Sequence, residues 1–475
     1  MSEAPERRRS NLLPIIIGCA LFMQTLDSTI IVNALPTMAR DLGEDALTLN
    51  TAITSYFLAA AIFLPVSGWL ADRFGARTIF LWAIVIFTLS SAFCGLSQSL
   101  PQLVAGRLMQ GASGAMLMPV GRLVLLKTTP RAEFVAAMAV LTMPSLLGPV
   151  IGPVLGGFLV TYVDWRAIFF INLPIGIAGY FLVRAFVPNI REEARTPFDF
   201  LGFVLTGVGL AGLIYGFENL GRGAMPAWAP PALLLGGAVF MALFALHASR
   251  APHALLDLSI LRTYTFLASL AGGAFNRLII GSMPFLLALL LQLGFGLSAF
   301  AAGALTFVGA AGAFLMKIAA PPILRRYGFR TVLVVNALIC AAFTAAIGIF
   351  RPETPHFLIL AILFVGGFFR SLQFTALNGL AFADIPGPQM SGASSMSSMF
   401  QQLALSIGAG LAAILVQIVQ RVMGAETLTY AVVSPAFLIV AALSLISLAF
   451  FIPLKRDAGA DLSGAKPAHP QPVED

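Results

Sequence analysis

The 475-residue chain is strongly apolar, with 59% hydrophobic and only 10% charged residues. Ordinary soluble domains carry about 25% charged residues. This composition excludes a soluble globular protein and favours a chain whose solvent is mostly lipid. The net charge of +7 does not indicate nucleic-acid binding, because Lys and Arg lie mainly in short breaks between apolar runs, where they report membrane topology.

A membrane-spanning helix needs about 20 mostly apolar residues, and such runs recur along the whole chain. Fourteen spans are predicted, which gives an all-α integral membrane fold. Numbered in chain order, they cover residues 12–35, 50–71, 78–98, 101–125, 136–160, 166–187, 200–219, 229–248, 266–292, 299–320, 331–350, 356–381, 394–419 and 431–453.

The basic residues also predict orientation. Lys and Arg are concentrated in both tails and in the even-numbered loops, so the positive-inside rule places both termini in the cytoplasm of a multi-pass inner or plasma membrane protein. Five segments follow: a cytoplasmic tail (1–11), a six-helix bundle (12–188), a linker with two inserted spans (189–262), a second six-helix bundle (263–453) and a disordered cytoplasmic tail (454–475).

Two short patterns recur in the same order in both bundles. An Arg followed three residues later by Gln occurs in span 4 (Arg107, Gln110) and in span 12 (Arg370, Gln373). These matches align spans 1–6 with spans 9–14 in the same direction, as in a parallel repeat about an axis along the membrane normal. The loop after span 2 recurs after span 10, and the shared positions are Arg73, Gly75 and Arg77 in the first copy and Arg326, Gly328 and Arg330 in the second.

The first of these loops resembles the signature loop of the major facilitator superfamily. Gly68 permits close helix approach, and the Asp72 carboxylate is suited to the positive amino end of another helix. The resemblance implies that this partner is span 13, near Ser394. Arg325 stands where Asp72 would align in the second copy, so an asymmetric conformational gate is expected.

Span 5 repeats glycine every four residues and adds two prolines. Small residues at this spacing let helices pack closely. The pattern looks like the antiporter motif of the superfamily, which implies export, while ordinary close packing around a kink is the alternative. Its residues are Gly148, Pro149, Gly152, Pro153, Gly156 and Gly157.

Span 1 contains the clearest buried acid, Asp27, in a segment similar to the first-helix motif of the fourteen-helix drug:proton antiporter family. An ionisable group at membrane depth usually finds a partner, and Arg107 is predicted at similar depth. Burial favours the neutral carboxyl and Arg107 favours the carboxylate. Asp27 and Arg107 are therefore the predicted proton-coupling pair, with a purely structural ion pair as the alternative.

Arg277 and Arg370 are predicted deep in spans 9 and 12 without acidic neighbours in the second bundle. Either they meet Asp27 across a central cavity, or an anionic substrate supplies the missing charge. Arg122 and Lys317, near span ends, are expected to extend towards water. The predicted substrate cavity comprises Asn33, Gln110, Arg277, Arg370, Gln373 and Asn378.

The resemblance to the antiporter family spans nearly the whole chain and is strongest for its EmrB/QacA-like subgroup, with MdtD-type members most similar in the later spans. It implies a proton-coupled antiporter that exports drugs or small organic compounds by alternating access. The alternative is an exporter or facilitator of an organic anion or metabolite recognised by the buried arginines.

The remaining expectations concern partners and chemistry. The chain is expected to be a monomer in the lipid bilayer that binds a small-molecule substrate and protons, with a periplasmic adaptor left open. No metal and no cofactor beyond the transmembrane proton gradient is predicted. The scattered histidines and the three cysteines form no catalytic or metal-binding pattern, so the sequence argues against an enzyme. No phosphate-binding glycine loop of the ATPase kind is present, so a primary pump would need a separate ATPase subunit.

Overall fold

The computed structural model describes residues 3–31, 34–44, 51–191, 197–220, 225–297 and 299–463. Nearly all of these residues are helical. The long helices are α1 Glu3–Ile30, α2 Thr51–Phe63 continuing as Ser67–Phe74, α3 Ala76–Gly95, α4 Leu100–Thr128, α5 Phe134–Tyr162, α6 Asn172–Phe186, α7 Phe200–Asn219, α8 Ala229–Ala248, α9 Gly273–Ala288, α10 and α11 as the two parts of Ala299–Gly348, α12 His356–Leu380, α13 Met390–Met423 and α14 Tyr430–Ser444.

Shorter helical segments connect or extend these helices. Two π-helical stretches, Ala268–Gly272 and Leu289–Gly294, flank α9. The remaining short α-helices are Leu35–Leu42, Ala167–Phe170, Tyr264–Leu267, Leu448–Phe451 and Ala460–Ser463.

The multi-pass membrane protein expected from composition is confirmed. Within the described residues, twelve helical stretches are long and apolar enough to cross a membrane. Helix α4, which carries Arg107 and Arg122, is not among the twelve, and α10 and α11 count as a single stretch. The predicted number of fourteen is therefore not reached by length and composition alone.

Glycine bends separate the helices of the two related loops. Gly75 between α2 and α3 has φ 93°, and Gly328 between α10 and α11 has φ 73°. Glycine reaches this left-handed region without the steric cost that a Cβ would impose. The recurring loop pattern thus has a physical reason: both copies need glycine at the same turn.

The helix pair α7–α8 forms a tight hairpin that contacts both bundles. A Cβ on Gly237 of α8 would lie 2.7 Å from the backbone nitrogen of Leu213 in α7, so the two backbones are nearly in contact. On its other sides α7 packs against α2 and α13, with Gly207 facing Ile62 and Gly410 facing Phe217. The α7–α8 hairpin therefore packs against helices from both halves of the chain.

Asp199 closes the base of this hairpin. Its carboxylate caps α7 by accepting a 2.8 Å hydrogen bond from the Gly202 amide, accepts a 3.0 Å bond from the Leu255 amide, and lies 2.8 Å from His247 Nε2 at the end of α8. Burial alone would raise the pKa of Asp199, but the bonds from Gly202, Leu255 and His247 outweigh it and hold this pKa below its ordinary value.

Helical structure extends into both predicted tails. Helix α1 already begins at Glu3. The segment after α14 was expected to be disordered from residue 454, yet Leu454 and Leu462 are buried, and Gly459 packs against the ring of Phe329. The apolar side chains of this segment explain the difference, because they cover the loop between α10 and α11. Residues 464–475 lie outside the described residues.

Replacing Asp199 by Asn is expected to lower Tm near neutral pH by roughly 2–4 °C, because the bonds from Gly202, Leu255 and His247 lose their charged acceptor. Because the pKa of Asp199 is lower in the folded protein than its ordinary value of 3.8, this stabilisation is present at pH values above 3.8. It is lost as the pH falls below 3.8 and Asp199 becomes protonated in the folded protein. Thermal unfolding of purified protein as a function of pH measures the effect. The exposed Glu426→Gln variant is the control, and a wild-type to variant difference that does not shrink when the pH falls below 3.8 would contradict the assignment.

Candidate transport site

A fully buried ion pair joins α1 to α4. Arg107 Nη1 donates a 2.6 Å hydrogen bond to Asp27 Oδ2, and both side chains are 1% exposed. The second oxygen, Oδ1, accepts bonds from Gln110 Nε2 at 3.1 Å and Asn172 Nδ2 at 2.9 Å. With three donors around it, the Asp27 carboxylate has the partners that a charge in a membrane interior requires.

The network extends into neighbouring helices. Arg107 Nε donates to the Ala52 carbonyl at 3.2 Å, and Asn172 also donates to Ser91 at 2.9 Å. Asn172 begins α6 and was not predicted as a site residue. The sequence carried a signal, because a polar amide in an otherwise apolar span usually faces a partner in the interior of the protein. Nearby, Trp165 is buried and donates to Asp41 Oδ2 at 2.8 Å.

A central cavity of about 620 Å³ lies between the two bundles. Its wall is mainly apolar and includes side chains from α1, α2, α4, α5, α9, α10, α12 and α13. Polar groups are few, among them Gln24, Ser28, Gln401, Gln402 and Ser398. A mostly apolar concavity with a few polar groups is the usual form of a small-molecule site.

Tyr56 separates the cavity from the ion pair. Its ring lines the cavity, and the guanidinium carbon of Arg107 lies 4.4 Å from the ring centroid. Asp27 and Arg107 themselves do not line the cavity. A change in the charge of Asp27 would therefore reach the cavity through Arg107 and the Tyr56 ring.

Six residues were predicted to line the substrate cavity. Among those of the six that the structure describes, only Arg370 lines it. Gln110 is bonded to the Asp27–Arg107 pair, and Gln373 is bonded to Asn336 at 2.8 Å. The cavity prediction needs correction at these positions, because the amides satisfy buried partners inside a bundle.

Arg277 of α9 and Asn378 of α12 were also predicted to line the cavity, but neither does so. The Arg277 guanidinium turns back to donate to the Ser269 carbonyl at 3.3 Å, and Asn378 donates to the Phe374 carbonyl one turn earlier at 2.9 Å. Both side chains are buried away from the cavity wall. Asn33 lies outside the described residues.

Two basic residues expected to extend towards water are instead buried. Lys317 is 3% exposed and lines the cavity, where its Nζ donates to Thr375 Oγ1 at 2.9 Å. Arg122 is fully buried and donates to Ser397 of α13 at 3.3 Å. The distance of a residue from a predicted span end did not reveal which way its side chain points.

The glycines of α5 form a close contact with α1 beside Asp27, called here the glycine seam (Gly148, Gly152 and Gly156). A Cβ on Gly148 would lie 2.8 Å from the Leu26 nitrogen, and one on Gly156 would lie 2.8 Å from the Ile30 carbonyl oxygen. Thr29 Oγ1 donates to the Gly148 carbonyl at 3.1 Å. Gly157 has open space at the position of a Cβ, and the side chains of Pro149 and Pro153 lie outside the described residues.

The two bundles are joined at the end of the molecule that carries the Gly75 bend, called here the Gly75 end. Asp72 accepts a hydrogen bond from Ser391 at the start of α13, one turn before the expected Ser394. Ser395 accepts a 2.9 Å bond from the Gly68 amide, and Ser394 donates to the Pro119 carbonyl at 2.9 Å. Hydroxyl groups on one face of α13 therefore hold α2 and α4 together at this end.

The rest of the repeated loop lies outside these contacts. Arg326 is exposed with its guanidinium 5.5 Å from the Tyr327 ring, and Arg73, Arg77 and Arg330 are half-buried. In the first bundle, the loop residue Asp72 bonds to the facing helix α13. In the second bundle, the corresponding position holds Arg325 instead of an acid.

Two helical bundles around a central cavity, with a buried ion pair beside it, define a membrane transporter. The family model of the Major Facilitator Superfamily matches residues 17–283 and 269–474, and the chain belongs to this superfamily. It is 40% identical over 415 residues to the putative multidrug resistance protein MdtD of Salmonella heidelberg (strain SL476), covering 87% of this chain and 88% of the relative. The same protein of Salmonella typhimurium (strain LT2) matches at the same identity and coverage.

Solved structures share the fold at low sequence identity. The human organic anion transporter MFSD10 (TETRAN) superposes with a TM-score of 0.65 at 17% identity, covering 94% of this chain and 99% of that one. The proton:xylose symporter XylE gives a TM-score of 0.67 at 13% identity, covering 96% and 98%. The predicted superfamily and its MdtD-type relatives are confirmed, and members of this family are transporters, not enzymes.

Gly152 and Gly157 provide a matched test of the glycine seam. A Cβ on Gly152 would lie 3.1 Å from Thr29 Cβ, whereas Gly157 has no neighbour within 4 Å. Gly152→Leu is therefore expected to destabilise the protein by about 1–3 kcal/mol through overpacking, and Gly157→Leu to leave stability nearly unchanged. Thermal unfolding in detergent measures both variants, and an equal loss of stability would show that the seam is not closely packed.

Proposed function

We propose that this protein is a proton-coupled antiporter that exports drugs or other small organic compounds from the cytoplasm by alternating access. In this proposal the polypeptide crosses the inner or plasma membrane fourteen times, as two parallel six-helix repeats with α7 and α8 inserted, and both termini are cytoplasmic. The driving force is the transmembrane proton gradient, and the Gly75 end faces the cytoplasm. The 40% identity to a putative multidrug resistance protein supports the export of small molecules.

The single observation that carries the proposal is the position of Asp27. It is a fully buried carboxylate, separated from the cavity by one aromatic ring, and its partner Arg107 packs on that ring. A group that can lose and regain a proton next to a substrate cavity is what coupling requires.

The local contacts suggest how protonation changes the site. The described network suits an ionised Asp27, because Arg107, Gln110 and Asn172 all donate to it. Protonation removes the negative charge that holds Arg107 and leaves a buried guanidinium without its counter-ion, which is strongly unfavourable. Movement of Arg107 then shifts Tyr56 and the cavity wall, so that the protonated and ionised forms favour different arrangements of α1, α2 and α4.

Closure at the Gly75 end supports an outward-facing conformation. Ser391, Ser394 and Ser395 of α13 bond to the first bundle at this end, which separates the cavity from the proposed cytoplasmic side. Export then requires these bonds to break, so that the substrate enters from the cytoplasm, and to form again before its release.

Asp27→Asn is expected to abolish proton-driven transport, because an amide cannot carry the proton at this position. Purified protein in liposomes with an imposed pH gradient, tested with lipophilic cations and small organic carboxylates, measures uptake and proton flux together. The variant should lose the response to the gradient and keep exchange of labelled for unlabelled substrate.

Asp164→Asn is the matched control, because Asp164 is half-exposed and lies far along the sequence from the ion pair. It should behave as wild type. Gradient-driven transport by Asp27→Asn would reject Asp27 as the proton carrier, and transport by the wild type that ignores the gradient would indicate a facilitator. Loss of exchange as well as coupling would indicate a structural ion pair.

Gly68→Leu is expected to prevent closure at the Gly75 end. A Cβ on Gly68 would lie 2.8 Å from the Ser391 carbonyl and 2.7 Å from Ser395 Oγ, whereas Gly387, in the turn before α13, has no neighbour within 4 Å. The rate at which a thiol reagent labels a cysteine introduced at Ser398, on the cavity wall, should rise from the cytoplasmic side in Gly68→Leu and stay unchanged in Gly387→Leu. Unchanged labelling in Gly68→Leu would contradict the gate.

A further inference from the structure

Two cationic side chains line the cavity without an acidic partner. Lys317 on α10 and Arg370 on α12 are both on its wall, and no Asp or Glu is among the described residues that line it. Within that part of the chain neither cation forms an ion pair. Uncompensated cations inside a membrane protein are costly and mark functional positions.

The partners of these two cations are neutral and few. Lys317 Nζ bonds to the Thr375 hydroxyl and lies 5.3 Å from the Phe374 ring centroid. Arg370 Nη1 is buried close to Gly366 and has no hydrogen-bond partner among the described residues. Each cation therefore retains donor capacity that neighbouring protein groups do not use.

The nearest functional acid is not available to neutralise them. Both oxygens of Asp27 are engaged by Arg107, Gln110 and Asn172 behind the Tyr56 ring. The cavity thus has a positive electrostatic potential. Its apolar walls have a low dielectric constant, which strengthens the electrostatic interaction between the two cations and a charged ligand in the cavity.

The positions of the two cations also limit the ligand. Gly366 and Thr375, which neighbour Arg370 Nη1 and Lys317 Nζ, are nine residues apart on α12, or about 13 Å along the helix axis. The cations therefore act at two levels of the cavity, with mainly apolar surface around them, instead of forming one compact pocket for a small inorganic anion.

We propose that the cavity selects organic anions with an apolar body, and that Lys317 and Arg370 are the residues that determine this selectivity. The inference rests on the proposed transport function and names its substrate class. The acidic group of such a ligand offsets the uncompensated positive charge, while its apolar body packs against the rest of the cavity wall. A neutral molecule of the same shape lacks the electrostatic attraction, and a cationic one is repelled.

Equilibrium binding to purified protein, with no membrane gradient, tests this directly. Naphthylacetate, naphthylacetamide and naphthylethylamine share one apolar body and differ in charge. Wild type is expected to bind the carboxylate best and the amine worst. Lys317→Met and Arg370→Met should each reduce the affinity ratio of carboxylate to amide by roughly tenfold or more, because each removes a unit charge from a cavity of reduced dielectric.

Two control variants separate charge at the cavity from other effects. Lys317→Arg keeps the positive charge and should preserve the ratio, and Arg250→Met removes an exposed cation and should leave it unchanged. Equal affinity for carboxylate and amide in wild type, a preference for the amine, or an unchanged ratio in both cavity variants would overturn the proposal.

This binding test can be separated from the test of proton coupling, since equilibrium binding at a fixed pH needs no gradient. If the protein binds the carboxylate selectively but its transport does not respond to a pH gradient, the proposed antiport is rejected and the proposed anion selectivity is supported. If gradient-driven transport prefers the amine, antiport is supported and the anion selectivity is rejected.

Discussion

The pairing of Asp27 with Arg107 constrains the whole first bundle. Both groups are fully buried, and an ion pair in a medium of low dielectric is tolerated only when its geometry is good and the remaining hydrogen-bonding positions are filled. Here Gln110 of α4 and Asn172 of α6 fill them. Four helices, α1, α2, α4 and α6, must therefore keep their relative positions, since Arg107 also bonds to Ala52.

The glycine seam explains how α1 can be held by α5 without blocking movement. Contacts between small residues and a neighbouring backbone depend on close approach, not on interlocking side chains. Thr29 adds one hydrogen bond, to the Gly148 carbonyl. In the proposed mechanism, a contact of this kind would let α1 move when Asp27 changes its charge while α1 stays packed against α5. The motif that resembles antiporters would then have a physical role next to the proposed proton carrier.

The sequence predicted the class of fold and the ion pair, but only part of the site. The length of the apolar runs, the recurring glycine bends and an acid within an apolar span can all be recognised in the sequence itself. The direction in which a side chain points cannot be recognised in this way. Gln373 and Asn378 share α12 with Arg370 but face a bundle interior, and Lys317 turns to the cavity although it was expected to extend towards water. Tyr56 was missed because an aromatic residue in an apolar span gives no sign that an arginine will pack on it.

The contacts at the Gly75 end differ in strength from those around Asp27, and this difference suits a gate. The bonds made by Ser394 and Ser395 join neutral groups, and each contributes a net ~1 kcal/mol because water replaces it when it opens. The Ser391 bond is accepted by the Asp72 carboxylate, and a bond to a charged group contributes roughly 1.5–3 kcal/mol. Separating Asp27 from Arg107 without a proton leaves two buried charges unpaired, which costs more than breaking a few of these bonds. In the proposed mechanism, the Gly75 end would therefore open more readily than the ion pair would separate, and protonation of Asp27 would lower the cost of the second step. That difference would make the relative movement of the two bundles depend on the proton.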